Sequence, residues 1–310
     1  YVDDIQPPGC LHAAILRTPH VHAKIVSIDA SAARAHDGVE LVLTSEDLGD
    51  LAGPLPQLVP HPSLNNPKTP TPLAVGKVRY EGEPVAVVVA KDRYIAEDAA
   101  ELIQVDYEPL PPVTDVEAAL DNDSPLVHED TKQNIVADFL QEVGDPDLAF
   151  SEADVVVRKR FVIDRGASIA MEGRGVLADW SSRDRKLLVH VSTQAPVPLR
   201  AGLAQILGIP EHDVRLVAPD VGGGFGPKAI IFYPEEILIP HCSMQLGLPV
   251  KWIEDRREHF LSSTQERVQI HEAEIAFSKD GTLLGVKDDF LMDAGAYVPY
   301  GLIVGIVTST

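Results

Sequence analysis

The sequence predicts an α+β fold: an N-terminal α/β part followed by a mixed α+β part. Three observations predict it. Strand-like and helix-like stretches alternate as far as Tyr107. A Pro-rich, acidic stretch then interrupts regular structure to about Asp145 and reads as a linker wrapping a surface. The remainder mixes alternating strands, a hairpin signal and two helical stretches. With 310 residues the chain can bury a sizeable core and fits two domains.

In order along the chain, Val85–Ala90 (VAVVVA) is a continuous β-branched run and reads as a buried strand. Asp92–Ile103 reads as a helix with Ile95, Ala99, Leu102 and Ile103 on one face. Val105–Tyr107 returns as a short strand. Tyr107–Val113 (YEPLPPV) breaks regular structure, because Pro109, Pro111 and Pro112 remove donors and restrict their neighbours. The domain boundary therefore falls near 115–140. Val155–Ile163 (VVVRKRFVI) and Leu187–Ser192 are strands. Pro198–Leu207 is a helix with Pro198 in its first turn, Gly208 closing it, and Leu199, Leu203, Ile206 and Leu207 on its apolar side. Val214–Ala218 is strand-like. Tyr233–Leu246 is helical, and Pro240 inside it should kink or split it. Val268–Phe277 and Leu283–Leu291 flank Lys279-Asp280-Gly281, a hairpin signal. There is no internal repeat and no low-complexity tract.

An apolar content of 45% and a charged content of 24% are ordinary for a globular chain. The formal net charge of −21 argues against nucleic acid or an anionic membrane as partner and fits a solvated acidic surface. An anionic ligand would have to be neutralised largely by backbone N–H groups. The cysteines are Cys10 and Cys242, and C-x-x-C is absent. This excludes structural zinc and a four-cysteine iron–sulfur cluster within the chain. Both are expected as buried reduced thiols in a cytoplasmic protein. No run reaches transmembrane length and no signal peptide is visible. The chain opens on Tyr1 rather than Met, and Ile306–Thr310 brings no closing element. Both ends are expected to be trimmed, so the missing leader carries no weight.

Asp220–Lys228 (DVGGGFGPK) is the most informative stretch. Glycine enters positive φ freely and lets a ligand touch the main chain, and successive bare N–H groups form an anion-binding nest. The run follows a strand-like stretch, where open α/β architectures hold phosphate-bearing ligands. A P-loop needs G-x-x-x-x-G-K-S/T. Gly222 and Lys228 do not take that spacing, and Ala229 stands where the hydroxyl should be. A dinucleotide fingerprint started at Gly222 and Gly224 meets Pro227 at its third glycine. By itself the run fits a packing turn as well as a ligand site. Among the histidines, His20 and His22 form H-x-H and His241 adjoins Cys242. Neither spacing recurs with a second ligand set, so all are read as structural or surface residues. No G-x-S-x-G or Cys/His constellation suggests hydrolysis.

The segment from Ser192, STQAPVPLRAGLAQILGIPEHDVRLVAPDVGGGFGPK, resembles the large, molybdopterin-binding subunit of the xanthine dehydrogenase, aldehyde oxidase and aerobic carbon monoxide dehydrogenase family. That family carries a T-Q dipeptide, a short helix, an L-G-I/L-P turn, a strand ending in A-P-D, and G-G-G-F-G-x-K. Tyr1–Ile5, Leu11–Ile25 and Val78–Ala90 resemble its N-terminal a/b hammerhead domain. Asp255–Phe260 (DRREHF), Asp280–Gly285 and Asp293–Tyr297 continue the likeness. The resemblance implies a hammerhead domain at 1–118, a linker at 119–140, and the first part of a molybdenum-cofactor-binding domain at 141–310. That second domain would be incomplete at its C-terminus.

The resemblance also implies roles residue by residue. Gln194, of the T-Q pair, would donate to an oxygen ligand on molybdenum, a task suited to a neutral amide. Its bland alternative is an edge-strand glutamine facing solvent. Gly223, Gly224, Phe225 and Gly226 would line the cofactor. Phe225 would shield the metal from bulk water, with a plain core aromatic as the alternative, and Gly226 would offer its N–H to the cofactor. Gln194 and Phe225 are thus the expected catalytic-site residues. Lys228 would neutralise cofactor or carboxylate charge, or stand exposed. Ala170–Gly175 (AMEGRG) resembles M-E-x-R-G. Glu172 and Arg174 would form an ion pair fixing the cofactor loop, with or without ligand contact, and Arg174 counts among the cofactor-binding residues. Ala229 replaces the glutamate of purine-hydroxylating members and disfavours a purine. The pterin dithiolene holds the molybdenum, so no side-chain ligand is expected.

The implied activity is oxidation of a small molecule (an aldehyde, an N-heterocycle or carbon monoxide) with water-derived oxygen. The cofactor would be molybdenum–molybdopterin or its cytosine dinucleotide form. Electrons would pass to a 2Fe–2S cluster and FAD, on a small and a medium subunit or on segments outside this sequence, in a dimer of heterotrimers. The family's base glutamate would lie beyond Thr310. The chain would then be about the first half of such a subunit and inactive alone. The rival reading is a non-catalytic assembly domain that has lost the cofactor, against which the intact Gln194 and GGGFG argue. A nucleotide-binding module fails on the loop spacing.

Overall fold

The computed structural model describes residues 1–229, 232–266 and 268–299. They form two compact units. The first gathers Tyr1–Leu58, Lys68–Pro112 and Ser168–Thr264, and the second gathers Val59–Pro67, Val113–Ala167 and the stretch from Gln265 on. The chain end at Ile306–Thr310 lies outside the described residues.

The first strands are β1 (Leu11–Arg17), β2 (Ala23–Asp29), β3 (Val39–Thr44), β4 (Lys77–Val78), β5 (Pro84–Ala90) and β6 (Gln104–Pro109). β7 (Val155–Ile163), β8 (Gly175–Ser181), β9 (Lys186–Val191), β10 (Val214–Val217) and β11 (Val250–Ile253) follow. β12 (Gln269–Phe277) and β13 (Leu283–Met292) come last. The helices are α1 (Ser31–Ala35), α2 (Arg93–Glu101), α3 (Pro146–Ser151), α4 (Pro196–Leu207), α5 (Pro234–Leu246) and α6 (Arg256–Ser262).

The first unit is built on a seven-stranded mixed sheet in the order β10-β9-β8-β11-β1-β5-β3. β5 is buried along its whole length, as its unbroken apolar run requires. Its side chains alternate between two cores: Val87 and Val89 enter one, Ala86, Val88 and Ala90 the other. β1 pairs antiparallel with β5 and parallel with β11, Leu11 facing Val250. Strands far apart in sequence thus share one sheet. A smaller sheet, β4-β2-β6, completes the unit. β6 runs on to Pro109, two residues into the expected break, because it is an edge strand and the proline donor is not needed there.

α2 starts at the cap Asp92, whose Oδ1 accepts from the Ile95 N–H at 2.9 Å. Its buried face is Ala96, Ala99 and Ala100, continued by Ile103; small side chains let the helix lie close to the sheet. Leu102, expected on that face, is exposed, because the helix ends at Glu101 and the 3.6-residue period stops with it. α4 closes on Gly208 at φ 66°, as expected, with Leu199 and Leu203 inward. Gly202 lies where a methyl group would enter the Phe232 ring. α5 is buried on almost every side, with Glu235 and Glu236 enclosed among its apolar side chains. It is not split at Pro240. The proline removes one bond, to the Glu236 carbonyl, and burial holds the rest.

The second unit carries the antiparallel sheet β13-β12-β7. The expected hairpin joins β12 and β13, and Asp280 in its turn accepts from Ser278 Oγ at 2.5 Å. On one face Arg158 pairs with Glu274 and Arg160 with Glu272, directly opposite each other. α3, capped by Asp145, packs on β13 with Ala149 and Phe150 over Gly285. Residues 113–145 hold little regular structure but are ordered by side chains. Asn134 accepts from the Val127 N–H at 3.1 Å and donates to Pro125 O at 2.9 Å.

Candidate cofactor site

The site lies within the first unit. β9 and β10 run parallel, Leu187 facing Val214, so both chains leave the sheet on the same side. β9 runs into Ser192-Thr193-Gln194, and β10 into the glycine loop. The two exits are tied together. The Gln194 N–H donates to Lys228 O at 2.5 Å, and Thr193 Oγ1 donates to the same oxygen at 3.3 Å.

The loop follows a path that few residues take. Gly223 and Gly226 have φ of 101° and 103°, and Phe225 between them sits at 53°. A bulky residue there is strained, at a cost of about 1–3 kcal/mol, which points to a use for the ring rather than to local preference. Phe225 is 70% exposed, so the plain core aromatic does not describe it. Gly224 has no room for a side chain, since a Cβ would lie 2.6 Å from Gln194 Cγ. A Cβ on Gly223 would lie 3.1 Å from Ala170 Cβ.

Gln194 is exposed, and its Oε1 accepts from the Gly226 N–H at 3.0 Å. That bond sets the amide's orientation and leaves its NH2 as the outward donor. It also changes one expectation: the Gly226 N–H is engaged by Gln194 and is not free for a ligand. Among the described residues no acceptor takes the N–H groups of Gly223, Gly224 and Phe225. They are three successive donors of the loop, ahead of Gly226.

The expected ion pair between Glu172 and Arg174 does not form. The two side chains serve different partners, because each finds a nearer opposite charge on another element. Glu172 Oε2 accepts from Ser192 Oγ at 2.6 Å, the Gly222 N–H at 2.8 Å and Lys228 Nζ at 2.8 Å. Burial pushes the Glu172 carboxyl up, but the bonds from Lys228, Ser192 and Gly222 outweigh it and hold it below its ordinary value. Lys228 is buried, so of its expected roles the structure places it at a carboxylate. Burial lowers its ammonium against the pull of Glu172.

Arg174 is held in a buried charge network. Its guanidinium pairs with Glu254 at 2.7 Å and Glu235 at 3.0 Å, donates to Ser262 Oγ at 2.9 Å, and stacks 3.7 Å from the Tyr233 ring centroid. Arg17 extends the network, to Glu235 at 2.6 Å and Glu258 at 3.0 Å. His259 Nδ1 lies 2.9 Å from Glu254. Burial would raise the Glu254 carboxyl, but Arg174, His259 and the Arg174 N–H hold it far below the usual range. Glu235 is lowered by Arg174 and Arg17 against its burial. Arg174 is buried, and its guanidinium is committed to these partners.

Of the residues expected from sequence, the structure brings together Gln194, Gly223, Gly224, Phe225, Gly226 and Lys228, and sets Arg174 apart. Sequence reading missed Glu172 as the partner of Lys228, and Arg17, Glu235, Glu254 and His259 altogether. One signal was legible. Asp255-x-x-Glu258 is a capping box, with the Glu258 N–H donating to Asp255 Oδ1 at 2.7 Å. Among the described residues no His, Cys, Asp or Glu group is placed to hold a metal ion, and no helix is long and apolar enough to cross a membrane.

Comparison with known proteins gives the same architecture. Residues 127–309 match the molybdopterin cofactor-binding domain, and residues 1–111 the aldehyde oxidase and xanthine dehydrogenase a/b hammerhead domain. The gamma subunit of the 6-hydroxypseudooxynicotine dehydrogenase complex of Paenarthrobacter nicotinovorans is 38% identical over 304 residues, covering 96% of this chain and 37% of its own length. The carbon monoxide dehydrogenase large chain of Afipia carboxidovorans is 38% identical over 310 residues, covering 96% and 38%. The crystal structure of quinoline 2-oxidoreductase from Pseudomonas putida 86 matches with a TM-score of 0.88 at 40% identity, over 96% of this chain and 37% of that one. The chain spans 37–38% of these relatives, less than the half expected from its motifs. With both domains matched, the chain belongs to the molybdopterin-binding large-subunit family of the xanthine dehydrogenase, aldehyde oxidase and aerobic carbon monoxide dehydrogenase enzymes.

Proposed function

We propose that this chain is the cofactor-holding part of a molybdenum-dependent oxidoreductase, with the loop Gly223–Gly226 and Gln194 receiving the molybdopterin. One observation carries the reading: three successive N–H groups, at Gly223, Gly224 and Phe225, have no acceptor among the described residues and lie beside an exposed, oriented amide. Such a run favours an anion. The residues fit a bulky anionic pterin. A Cβ on Gly226 would meet nothing within 4 Å, so the loop is open on that side. With Lys228 and Arg174 committed to carboxylates, the backbone is left to do the neutralising.

When bound, the molybdenum centre supplies the oxygen-transfer and redox chemistry. The chain supplies position. Gln194 offers a neutral donor whose direction is set by Gly226 and whose state does not change with pH. Phe225 offers an exposed ring that would exclude bulk water from one side of the centre. In this reading the substrate is a small molecule, an aldehyde, N-heterocycle or carbon monoxide, and the oxygen comes from water. Ala229 disfavours a purine. The resemblance to quinoline 2-oxidoreductase supports an N-heterocycle. Electrons would leave through a 2Fe–2S small subunit and an FAD medium subunit, in a dimer of heterotrimers in the cytoplasm. The cofactor would be molybdopterin or its cytosine dinucleotide form. The segments 1–118 and 141–310, with 119–140 as linker, are the corresponding sequence domains.

The test is molybdenum and pterin analysis of the protein purified with its partner subunits from a host that makes and inserts the cofactor. Near-stoichiometric molybdenum and pterin are expected. A folded protein without either would overturn the reading and leave GGGFG as a packing turn.

A further inference from the structure

Three segments meet on one oxygen atom. Glu172 Oε2 takes Ser192 Oγ, at the end of β9 and two residues before Gln194. It takes the Gly222 N–H, where the glycine loop begins. It takes Lys228 Nζ, where the loop ends. The Glu172 N–H closes the arrangement by donating to Gly222 O at 3.1 Å. Lys228, through its carbonyl, holds the Gln194 N–H. Among the described residues, the loop between Gly222 and Lys228 makes no other side-chain bond except the one from Gly226 to Gln194. Its glycines have no side chains to pack, and glycine loses the most conformational freedom on ordering. Something outside the loop must hold it. We propose that Glu172 is a positioning residue, one carboxylate that clamps both ends of the glycine loop to the strand end bearing Gln194 and so sets the place of the Gly223–Phe225 N–H groups.

The clamp is asymmetric. The Lys228 side chain is 1% exposed and Glu172 18%. Removing the carboxylate charge strands a buried cation, whereas removing the lysine leaves a carboxylate that reaches water and keeps two donors. An isolated buried charge is the costlier outcome. Glu172→Gln keeps the shape and an acceptor but strands Lys228. Lys228→Met removes the cation, and the double variant removes both charges together. The clamp therefore predicts an order of damage: Glu172→Ala worst, then Glu172→Gln, then Lys228→Met, with Glu172→Gln/Lys228→Met better than Glu172→Gln alone.

The proposal does not need the cofactor reading, and its test separates the two. Amide hydrogen exchange is followed in the protein complex from a cofactor-making host and from one that cannot make the cofactor. In both, Glu172→Ala is expected to speed exchange of the bonded loop amides, those of Gly222, Gly226 and Ala229, by about tenfold or more, while β5 stays as slow as in the parent. The double variant is expected to restore slow exchange relative to Glu172→Gln. In the cofactor-making host, molybdenum per polypeptide should fall in the same order. Loop exchange unchanged in Glu172→Ala would overturn the proposal. So would equal acceleration in Glu172→Gln and the double variant, because a lost hydrogen bond without a stranded charge would then be the whole effect. If the parent holds no molybdenum yet its loop responds as described, the clamp stands and the cofactor reading fails.

Discussion

Gly224 leaves no space for a methyl group against Gln194, and the obstacle is a flexible side chain rather than backbone. Gly224→Ala should therefore fold normally and push the Gln194 amide off its bond with Gly226. A displacement of about 1 Å at a positioned group costs on the order of a hundredfold in rate. The expected outcome is a melting temperature near the parent's with kcat/KM down about a hundredfold. A fully active variant would remove Gln194 from the site. Phe225 allows a sharper decision by magnitude. A core phenylalanine costs about 3–5 kcal/mol on truncation. A ring held in strained backbone and exposed to water costs about nothing to remove, since glycine relieves the strain. Phe225→Gly should thus leave stability within about 1 kcal/mol of the parent while molybdenum retention falls. Equilibrium unfolding beside metal analysis checks both. Gln194 and the glycines were legible because each sits in a short local motif, Thr193-Gln194 and Gly222–Gly226. The pairing of Lys228 with Glu172 was not, because the stretch before β8 meets the loop after β10 only once β8, β9 and β10 share one sheet.

Elements were legible where one period governs them. β7 spans the expected residues, the β12–β13 hairpin forms about its turn, and α4 ends at Leu207 as expected. Leu102 and Pro240 misled because tertiary context overrode local preference, through an early helix end in one case and enclosure on all sides in the other. α5 hides a further group. Glu236 is buried, accepts from the Tyr233 N–H at 3.1 Å, and is pushed by burial up to about 8. Its folded value lies above its unfolded one, so the stability it contributes is full below the ordinary carboxylate range and is lost as pH rises through about 8. Glu235 and Glu254 act in the opposite sense. Held low, they stabilise above the ordinary range and lose that contribution as pH falls through their depressed values. Stability should therefore decline on both sides of a mildly acidic optimum. Glu236→Gln should flatten most of the alkaline decline and exceed the parent by a few kcal/mol above about pH 8, measured by urea unfolding. Glu258, also raised by burial, leaves the remainder. An unchanged alkaline slope in Glu236→Gln would show that the residue is ionised in the fold.

At the scale of the molecule, sequence order and spatial order part company. Segments 1–118 and 141–310 both enter the first compact unit. β1 needs β11 on one edge. Leu11, Ala13, Ile15, Val87 and Val89 share a core with Leu203, Ile237 and Leu238. Arg17 finds both its carboxylates, Glu235 and Glu258, in the later segment. No periodicity in either half announces these contacts, since each half supplies only one side of them. A fragment of residues 1–118 would keep the second core, where α2 covers Ala86, Val88 and Ala90, and would expose the first. Its Arg17 would lose both partners, and breaking a buried pair of this kind costs about 3–5 kcal/mol. The fragment should be a loosened state: strand and helix signal in the far-ultraviolet, weak near-ultraviolet dichroism, dye binding to apolar surface and no sharp melting transition. In the whole chain, Arg17→Leu should lower stability by about 3–5 kcal/mol although Arg17 lies far in sequence from its partners. A fragment that melts sharply and as high as the whole chain would show that 1–118 closes its own core, and that the sheet joins two finished halves instead of completing one.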